Sequence, residues 1–123
     1  MKRPLVLIVD DSVDVVRLLA LILAESCDVI FAKEGQRALD LARDRLPSLI
    51  LLDVEMPGMD GRQAWSALHE QSETRGIPVI FVSADDPRPE LHDTGEVGWI
   101  RKPFTALDVQ TAVHACVGAV SSP

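Results

Sequence analysis

The sequence is short of three features that mark large classes of protein: basic clusters, long apolar runs and cysteine. It has 12 basic against 19 acidic residues, a net charge of -7, and no basic cluster, so we expect no direct binding of nucleic acid or anionic membrane. The apolar runs fall far short of the ~18 residues that span a bilayer, and no signal-peptide core follows Met1. Cys27 and Cys116 have neither metal-ligand spacing nor a disulfide framework, which favours a cytoplasmic location.

What is present is an ordinary globular composition, 47% hydrophobic and 25% charged, without repeats or low-complexity segments. A chain of 123 residues supports one domain with a substantial core. We assign residues 1–120 to that domain and residues 121–123 to a tail or the start of a linker. The position of Met1, close to the first apolar run, favours an authentic N-terminus.

Five short apolar runs are typical of β-strands buried on both faces, since each is bounded by turn-forming residues. The clearest run ends at Asp53, which is followed by Glu55, Pro57 and a glycine-rich turn. The predicted strands span residues 5–9, 29–32, 49–52, 79–82 and 97–100.

Helical segments alternate with these strands. The predicted N-caps are Ser12, Asp60 and Thr105, the last paired with Asp108 in the spacing of a capping box. The first helix carries an apolar stripe of Val15, Val16, Leu19, Ile22 and Leu23. Leu18 and Leu21 widen this stripe; we expect them to pack locally, with a docking surface for a partner helix as the alternative.

The segment 85–95 interrupts the alternation, because two prolines and four acidic residues there make a helix short or absent. Five strands alternating with helices otherwise predict an α/β fold with a parallel sheet covered on both faces. We therefore predict a flavodoxin-like, doubly wound five-stranded sheet of order 2-1-3-4-5, with a shortened or irregular fourth helix.

Polar residues follow four of the predicted strands. Asp10 and Asp11 end the first, Asp53 the third and Ser83 the fourth, and Lys102 follows the fifth. In a doubly wound sheet these carboxyl ends lie along one edge, so the three carboxylates, the hydroxyl and the ammonium should converge. Clustered carboxylates repel one another, and a hard cation with oxygen ligands, Mg²⁺, would relieve that repulsion.

A carboxylate beside a divalent cation and a lysine can also act as a nucleophile toward phosphorus and form an aspartyl phosphate. Asp53 is the best candidate, because the pair Asp10 and Asp11 is better suited to hold metal. Ser83 could donate a hydrogen bond to a phosphoryl oxygen. Taken singly, each of these residues is more often a cap, a turn former or a surface residue, so the prediction depends on their occurring together.

Four motifs closely resemble the receiver domain of bacterial two-component response regulators. They are Val9–Ser12, Leu51–Gly61, Pro78–Ala84 and Lys102–Phe104, and the likeness covers essentially the whole chain. The resemblance implies that Asp53 takes a phosphoryl group from a phosphohistidine. It implies a Mg²⁺ site of Asp11, Asp53 and the main-chain carbonyl of Glu55, assisted by Asp10, with Ser83 and Lys102 contacting the phosphoryl group.

The resemblance also implies partners and a switch. The phosphodonor would be a sensor histidine kinase or a histidine phosphotransfer protein, and the output would be a downstream effector protein or a fused output domain. Trp99 matches the switch aromatic of the family, which would turn inward when Ser83 moves toward the phosphoryl group. The plainer alternative is that Trp99 covers the sheet edge. Glu55 and Asp85 flank the site at positions that tune phosphoryl lifetime in the family.

Three functional hypotheses follow. The first is a phosphorylatable receiver that is not an enzyme on external substrates and catalyses only its own phosphorylation and dephosphorylation. The second is an interaction module of the same fold that works without phosphorylation, suggested by the disrupted segment after Ser83. The third is a Mg²⁺-dependent phosphohydrolase, which the chain disfavours because it has no cap domain and little material for a substrate pocket.

Overall fold

A computed structural model describes residues 3–87, 89 and 98–121 of the chain. In these residues five strands and four helices follow one another along the sequence. The elements are β1 (Leu5–Val9), α1 (Val13–Leu23), β2 (Asp28–Ala32), α2 (Gly35–Arg45), β3 (Leu49–Asp53), α3 (Gly61–Glu70), β4 (Val79–Ser83), β5 (Gly98–Arg101) and α4 (Ala106–Ser121).

The five strands form one parallel sheet in the order β2-β1-β3-β4-β5, which confirms the predicted flavodoxin-like topology. All residues of β3 and β4 are buried, as expected for strands in the middle of a sheet covered on both faces. Alternate residues along each strand point to opposite faces. Leu7 and Leu52 belong to one core cluster, whereas Ile8 and Leu51 belong to the other.

The helices divide between the two faces of the sheet. Buried residues of α2 and α3, such as Leu39 and Trp65, complete the first cluster, and buried residues of α1 and α4, such as Leu19 and Val109, complete the second. This arrangement leaves the carboxyl ends of β1, β3, β4 and β5 at one edge of the sheet, where the loops that follow them gather.

Each predicted helix N-cap is confirmed. The Ser12 hydroxyl accepts the Val15 amide at the start of α1. Asp60 and Gln63 form a reciprocal capping box at the start of α3. Before α4, the Thr105 amide donates to Asp108 Oδ2 at 2.8 Å and the Asp108 amide donates to Thr105 Oγ1 at 3.1 Å. These bonds satisfy amides that the first turn of a helix leaves without an intrahelical partner.

Two expectations concern helix α1 and the segment between β4 and β5. Leu18 is 47% exposed and Leu21 is 75% exposed, so the expectation that they pack locally is wrong, and the docking-surface alternative stays a prediction. The expectations for a fourth helix within 85–95 and for a strand start at residue 97 fall mainly on residues 88 and 90–97, which lie outside the described part of the chain. Among the described residues, no helix is both long and apolar enough to span a membrane.

Candidate functional site

Three carboxylates meet at the carboxyl edge of the sheet, as the sequence predicts. Asp10 and Asp11 follow β1, Asp53 ends β3, and one carboxylate oxygen from each lies within 4.8 Å of the others. Asp10 and Asp53 are only 2% and 5% exposed, whereas Asp11 is exposed. The cluster therefore has a buried floor and a side that opens to solvent.

The ammonium of Lys102, the residue directly after β5, joins this cluster. Its Nζ lies 3.3 Å from Asp53 Oδ1 and 3.5 Å from Asp10 Oδ2. The lysine is placed by the backbone, because its amide donates to the Ser83 carbonyl at 2.9 Å and so continues the pairing of β4 with β5. One ammonium faces three carboxylates, which leaves an excess of negative charge at the site.

The proton affinities of the site reflect this excess. Burial raises the pKa of Asp53 from 3.8 to about 6, the charge of Asp10 adds to the rise, and Lys102 acts against it. Burial alone lowers the pKa of Lys102, but the carboxylates of Asp10 and Asp53 outweigh it and raise that pKa above 10.5. Lys102 is therefore charged at neutral pH, but its charge does not fully offset the cost of burying an ionised Asp53 beside Asp10.

A repeated backbone turn orients the side chains at three of the strand ends. Asp10 Oδ1 accepts the amide of the residue two positions on, at 2.9 Å, and Asp53 Oδ1 and Ser83 Oγ do the same at 3.4 Å each. The donors are the amides of Ser12, Glu55 and Asp85. Short Asp and Ser side chains readily make such turns with their own backbone, so the residue types at these strand ends already indicate the turns.

Ser83 and Glu55 lie at or just beyond the carboxyl ends of the neighbouring strands β4 and β3. Ser83 ends β4, is 8% exposed, and follows Val82, which pairs with Asp53 across the sheet. The Glu55 side chain is exposed, while its backbone lies one turn beyond Asp53. All the residues that the sequence predicts for phosphoryl chemistry or metal binding thus lie at the carboxyl ends of strands or on the loops that follow them, at one edge of the sheet.

Trp99 is linked directly to Ser83. Its indole Nε1–H donates to the Ser83 carbonyl at 3.1 Å, the same oxygen that accepts the Lys102 amide. Trp99 is partly buried and pairs with Phe81 in the β4–β5 register. A tryptophan can make this bond through its ring N–H, whereas a phenylalanine has no such donor.

Gly61 is a structural residue of the site that the sequence analysis did not single out. A Cβ at Gly61 would lie 2.3 Å from the Asp53 carbonyl oxygen and 2.8 Å from the Val54 Cα, both of which are backbone atoms. The Gly61 amide donates to the Val54 carbonyl at 2.9 Å. Close backbone packing of this kind lets α3 start directly against the end of β3, and only a glycine permits it.

The donor set fits a hard divalent cation. Carboxylate oxygens from three residues lie within reach of one ion, and the exposed side of the cluster leaves room for water ligands, as Mg²⁺ prefers. Burial, and after it the charge of Asp10, raise the pKa of Asp53, and a bound cation would offset both by stabilising the ionised carboxylate. The arrangement can therefore hold a cation beside a buried carboxylate nucleophile and a fixed ammonium, which are the parts that phosphoryl transfer needs.

The two described histidines lie outside this cluster. The His69 ring stacks on Trp65 with ring centroids 5.0 Å apart, His114 is exposed on α4, and His92 is outside the described residues. Arg101 is exposed, as expected for the neighbour of an inward-pointing lysine. Cys27 is buried in the second core cluster.

Comparisons with known proteins agree on the family. The model of the response regulator receiver domain matches residues 6–114. The response regulator PleD of Caulobacter vibrioides is 46% identical over 103 residues, which are 80% of this chain and 23% of PleD. The transcriptional regulatory protein SrrA of Staphylococcus aureus is 36% identical over 121 residues, which are 95% of this chain and 49% of SrrA.

A structural neighbour agrees as well. The crystal structure of the chemotaxis protein CheY4 of Vibrio cholerae has a TM-score of 0.85 and 26% identity, and covers 94% of this chain and 99% of its own. The chain spans about a quarter of PleD and about half of SrrA. The similarity therefore concerns this one domain.

Proposed function

This chain belongs to the receiver domains of two-component response regulators, and from that membership we propose that Asp53 accepts a phosphoryl group from a phosphohistidine. The observation that supports this role is the placement of the buried Asp53 carboxylate 3.3 Å from Lys102 Nζ, in a cluster with Asp10 and Asp11. Burial raises the pKa of Asp53, and a carboxylate with a raised pKa is, once ionised, more nucleophilic than a solvated one.

In the proposed reaction a carboxylate oxygen of Asp53 attacks the phosphorus, forming a P–O bond as the P–N bond of the phosphohistidine breaks. Lys102 neutralises part of the charge that gathers on the phosphoryl oxygens, and the Ser83 hydroxyl donates a hydrogen bond to one of them. Hydrolysis of the resulting aspartyl phosphate returns the domain to its starting state. The domain would catalyse these two steps on itself and would have no external substrate.

The metal ligands in this proposal are Asp11, Asp53 and the main-chain carbonyl of Glu55. Asp10 would assist by orientation, because its two carboxylate oxygens already face the Ser12 amide and Lys102. When bound, Mg²⁺ would neutralise the acidic cluster and the oxygens of the incoming phosphoryl group. The fit of the carboxylate cluster supports this assignment.

Phosphorylation would be read out through Ser83 and Trp99. A phosphoryl group adds roughly -1.5 to -2 charges and strong acceptors, toward which Ser83 would move. That movement would change the bond between the Ser83 carbonyl and the Trp99 indole, and with it the surface around β4 and β5. The proposed partners are a sensor histidine kinase or histidine phosphotransfer protein, and an effector protein or fused output domain, in the cytoplasm.

The test is phosphorylation of the isolated chain by a small phosphodonor. With acetyl phosphate and Mg²⁺, intact-mass measurement should show the addition of one phosphoryl group to the wild type and none to Asp53→Asn. Asp44→Asn, which removes an exposed carboxylate of α2, is the matched control and should be phosphorylated like the wild type. An unmodified wild type, or a phosphoryl group that persists in Asp53→Asn, would refute the proposal.

The same samples separate the alternatives. A chain that gains no phosphoryl group, shows no change in tryptophan fluorescence with Mg²⁺ and phosphodonor, and still binds a partner would be a phosphorylation-independent interaction module. Turnover of small phosphate esters faster than loss of the aspartyl phosphate would instead indicate a phosphohydrolase.

A further inference from the structure

The loop that joins β3 to α3 carries the backbone on which the proposed metal site depends. Residues 54–60 connect Asp53 to the cap of α3, and Glu55 in this loop has an exposed side chain. If the Glu55 carbonyl is to act as a ligand, its position must be set by the residues on either side of it. The question is therefore what holds this loop in place.

Three apolar side chains hold the loop. Val54 and Met56 are 2% and 8% exposed and belong to the core cluster between the sheet, α2 and α3. Met59 is partly buried and packs against the same cluster. Between Met56 and Met59 the chain makes an exposed turn, in which Gly58 has a φ of +75°, a conformation that favours glycine.

Met59 differs from the other two because it reaches across to the first residue of α2. A Cβ built at Gly35, the first residue of α2, would lie 2.8 Å from the Met59 Cγ and Sδ and 2.9 Å from its Cβ. Gly35 is buried, so the Met59 side chain occupies the space that any larger residue at position 35 would need. This contact fixes the far end of the β3–α3 loop against the start of α2.

We propose that Met59, packed on Gly35, is a positioning residue that sets the backbone of the β3–α3 loop for cation binding. This role rests on the proposed metal site. Met59 acts through the loop, since it contributes no polar ligand of the kind that Mg²⁺ takes. Gly61 fixes the start of α3 against the Asp53 and Val54 backbone, and Met59 fixes the turn just before it. The Glu55 carbonyl lies between these anchors and the buried Val54.

The proposal predicts how cation affinity responds to changes at the contact. Met59→Ala removes the anchor, and Gly35→Ala displaces it, so each should weaken Mg²⁺ binding. Groups that support metal ligands without touching the metal typically change affinity by about 10–100-fold, and we expect about 3–10-fold for a contact one step further away. The two losses should be less than additive in the double variant, because Met59→Ala removes the Cγ and Sδ that the new methyl group at position 35 would meet and leaves only the Cβ close to it.

The measurement is a Mg²⁺ titration followed by amide chemical shifts in NMR, without phosphodonor, which also shows that each variant is folded. Two controls separate positioning from general destabilisation. Gly76→Ala makes the same substitution where a Cβ would meet nothing within 4 Å. Ile50→Val removes a methylene group from a fully buried residue of the same core cluster, which loosens packing away from the loop.

Weaker binding in both single variants, with non-additive effects in the double variant and unchanged binding in both controls, is the expected result. Wild-type affinity in Met59→Ala and Gly35→Ala would overturn the inference, as would additive effects or an equal loss in Ile50→Val. A wild type that shows no saturable Mg²⁺ shifts would overturn the proposed metal site itself, and this inference with it. A wild type that binds Mg²⁺ while the variants bind equally well leaves the proposed function standing and removes only the role of Met59.

Discussion

Asp53→Asn should make the Mg²⁺-free protein more stable at neutral pH, although it removes the proposed phosphoacceptor. The wild-type protein keeps a carboxylate in a site that favours its protonated form, since burial and Asp10 raise its pKa to about 6. The difference between 3.8 and about 6 corresponds to about 3 kcal/mol of destabilisation when the group is ionised, with the effect of Lys102 already included. Asparagine keeps nearly the same volume and carries no charge.

The pH dependence follows from the same two values. Below pH 3.8 the carboxyl group is protonated in both the unfolded and the folded chain, so it has no effect on stability. Between 3.8 and about 6 the folded state holds more protons than the unfolded one, so the free energy of unfolding falls as pH rises. Above about 6 the penalty is complete. The advantage of Asp53→Asn should therefore grow across this window and stay constant at higher pH.

The assay is urea unfolding in EDTA at pH 4 and pH 7, followed by tryptophan fluorescence. We expect Asp53→Asn to be more stable than the wild type by about 1–3 kcal/mol at pH 7 and about equal to it at pH 4. Asp44→Asn removes one negative charge at an exposed position and should change stability by less than about 0.5 kcal/mol. An Asp53→Asn variant equal to or less stable than the wild type at pH 7, beside an unchanged Asp44→Asn, would refute the reasoning.

Three further predictions test the surroundings of the site. Lys102→Met should raise the pKa of Asp53 further, because the lysine charge lowers it, and carboxyl NMR titration without Mg²⁺ would contradict this by showing no rise. Gly61→Ala should cost about 2 kcal/mol in urea unfolding through contact with backbone atoms, whereas Gly76→Ala should change stability by less than about 0.5 kcal/mol; equal effects would refute the close-packing argument. Thr74→Val should cost about 1–2 kcal/mol in the same assay, because it removes the hydroxyl that donates to a buried main-chain carbonyl at 2.6 Å, and an unchanged stability would show that this bond contributes little.

Much of the fold could be predicted because its signals are local. The unbroken apolar run before Asp53, the cap residue Ser12 and the pair Thr105 and Asp108 each specify structure within a few residues, and each was confirmed. The meeting of Asp10, Asp53 and Lys102 could be predicted too, because parallel strands bring their carboxyl ends to one edge.

The features that escaped prediction depend on how elements pack. Leu21 is exposed although its neighbours in sequence are apolar, because the stripe that faces the sheet is narrower than the run of apolar residues in α1. The contact of Gly61 with the Asp53 carbonyl and the bond from Trp99 to the Ser83 carbonyl follow from the placement of α3 and from the β4–β5 register. Neither distance is encoded in any short stretch of sequence.

The uniformly apolar strands have a consequence for how the chain aligns itself as it folds. In a strand with one solvent-exposed face, a register shift of one residue is unfavourable because it turns polar side chains toward the core. The residues Leu-Ile-Leu-Leu of β3, however, are apolar and buried on both faces. Hydrophobicity alone would hardly distinguish one register of β3 from the next. Asp53 at its end does distinguish them, because a shift of β3 by one residue would move the charged carboxylate from the open edge of the sheet into the apolar core. Asp53 thus also defines the residue at which β3 must end, a structural role that is independent of any chemistry at the site.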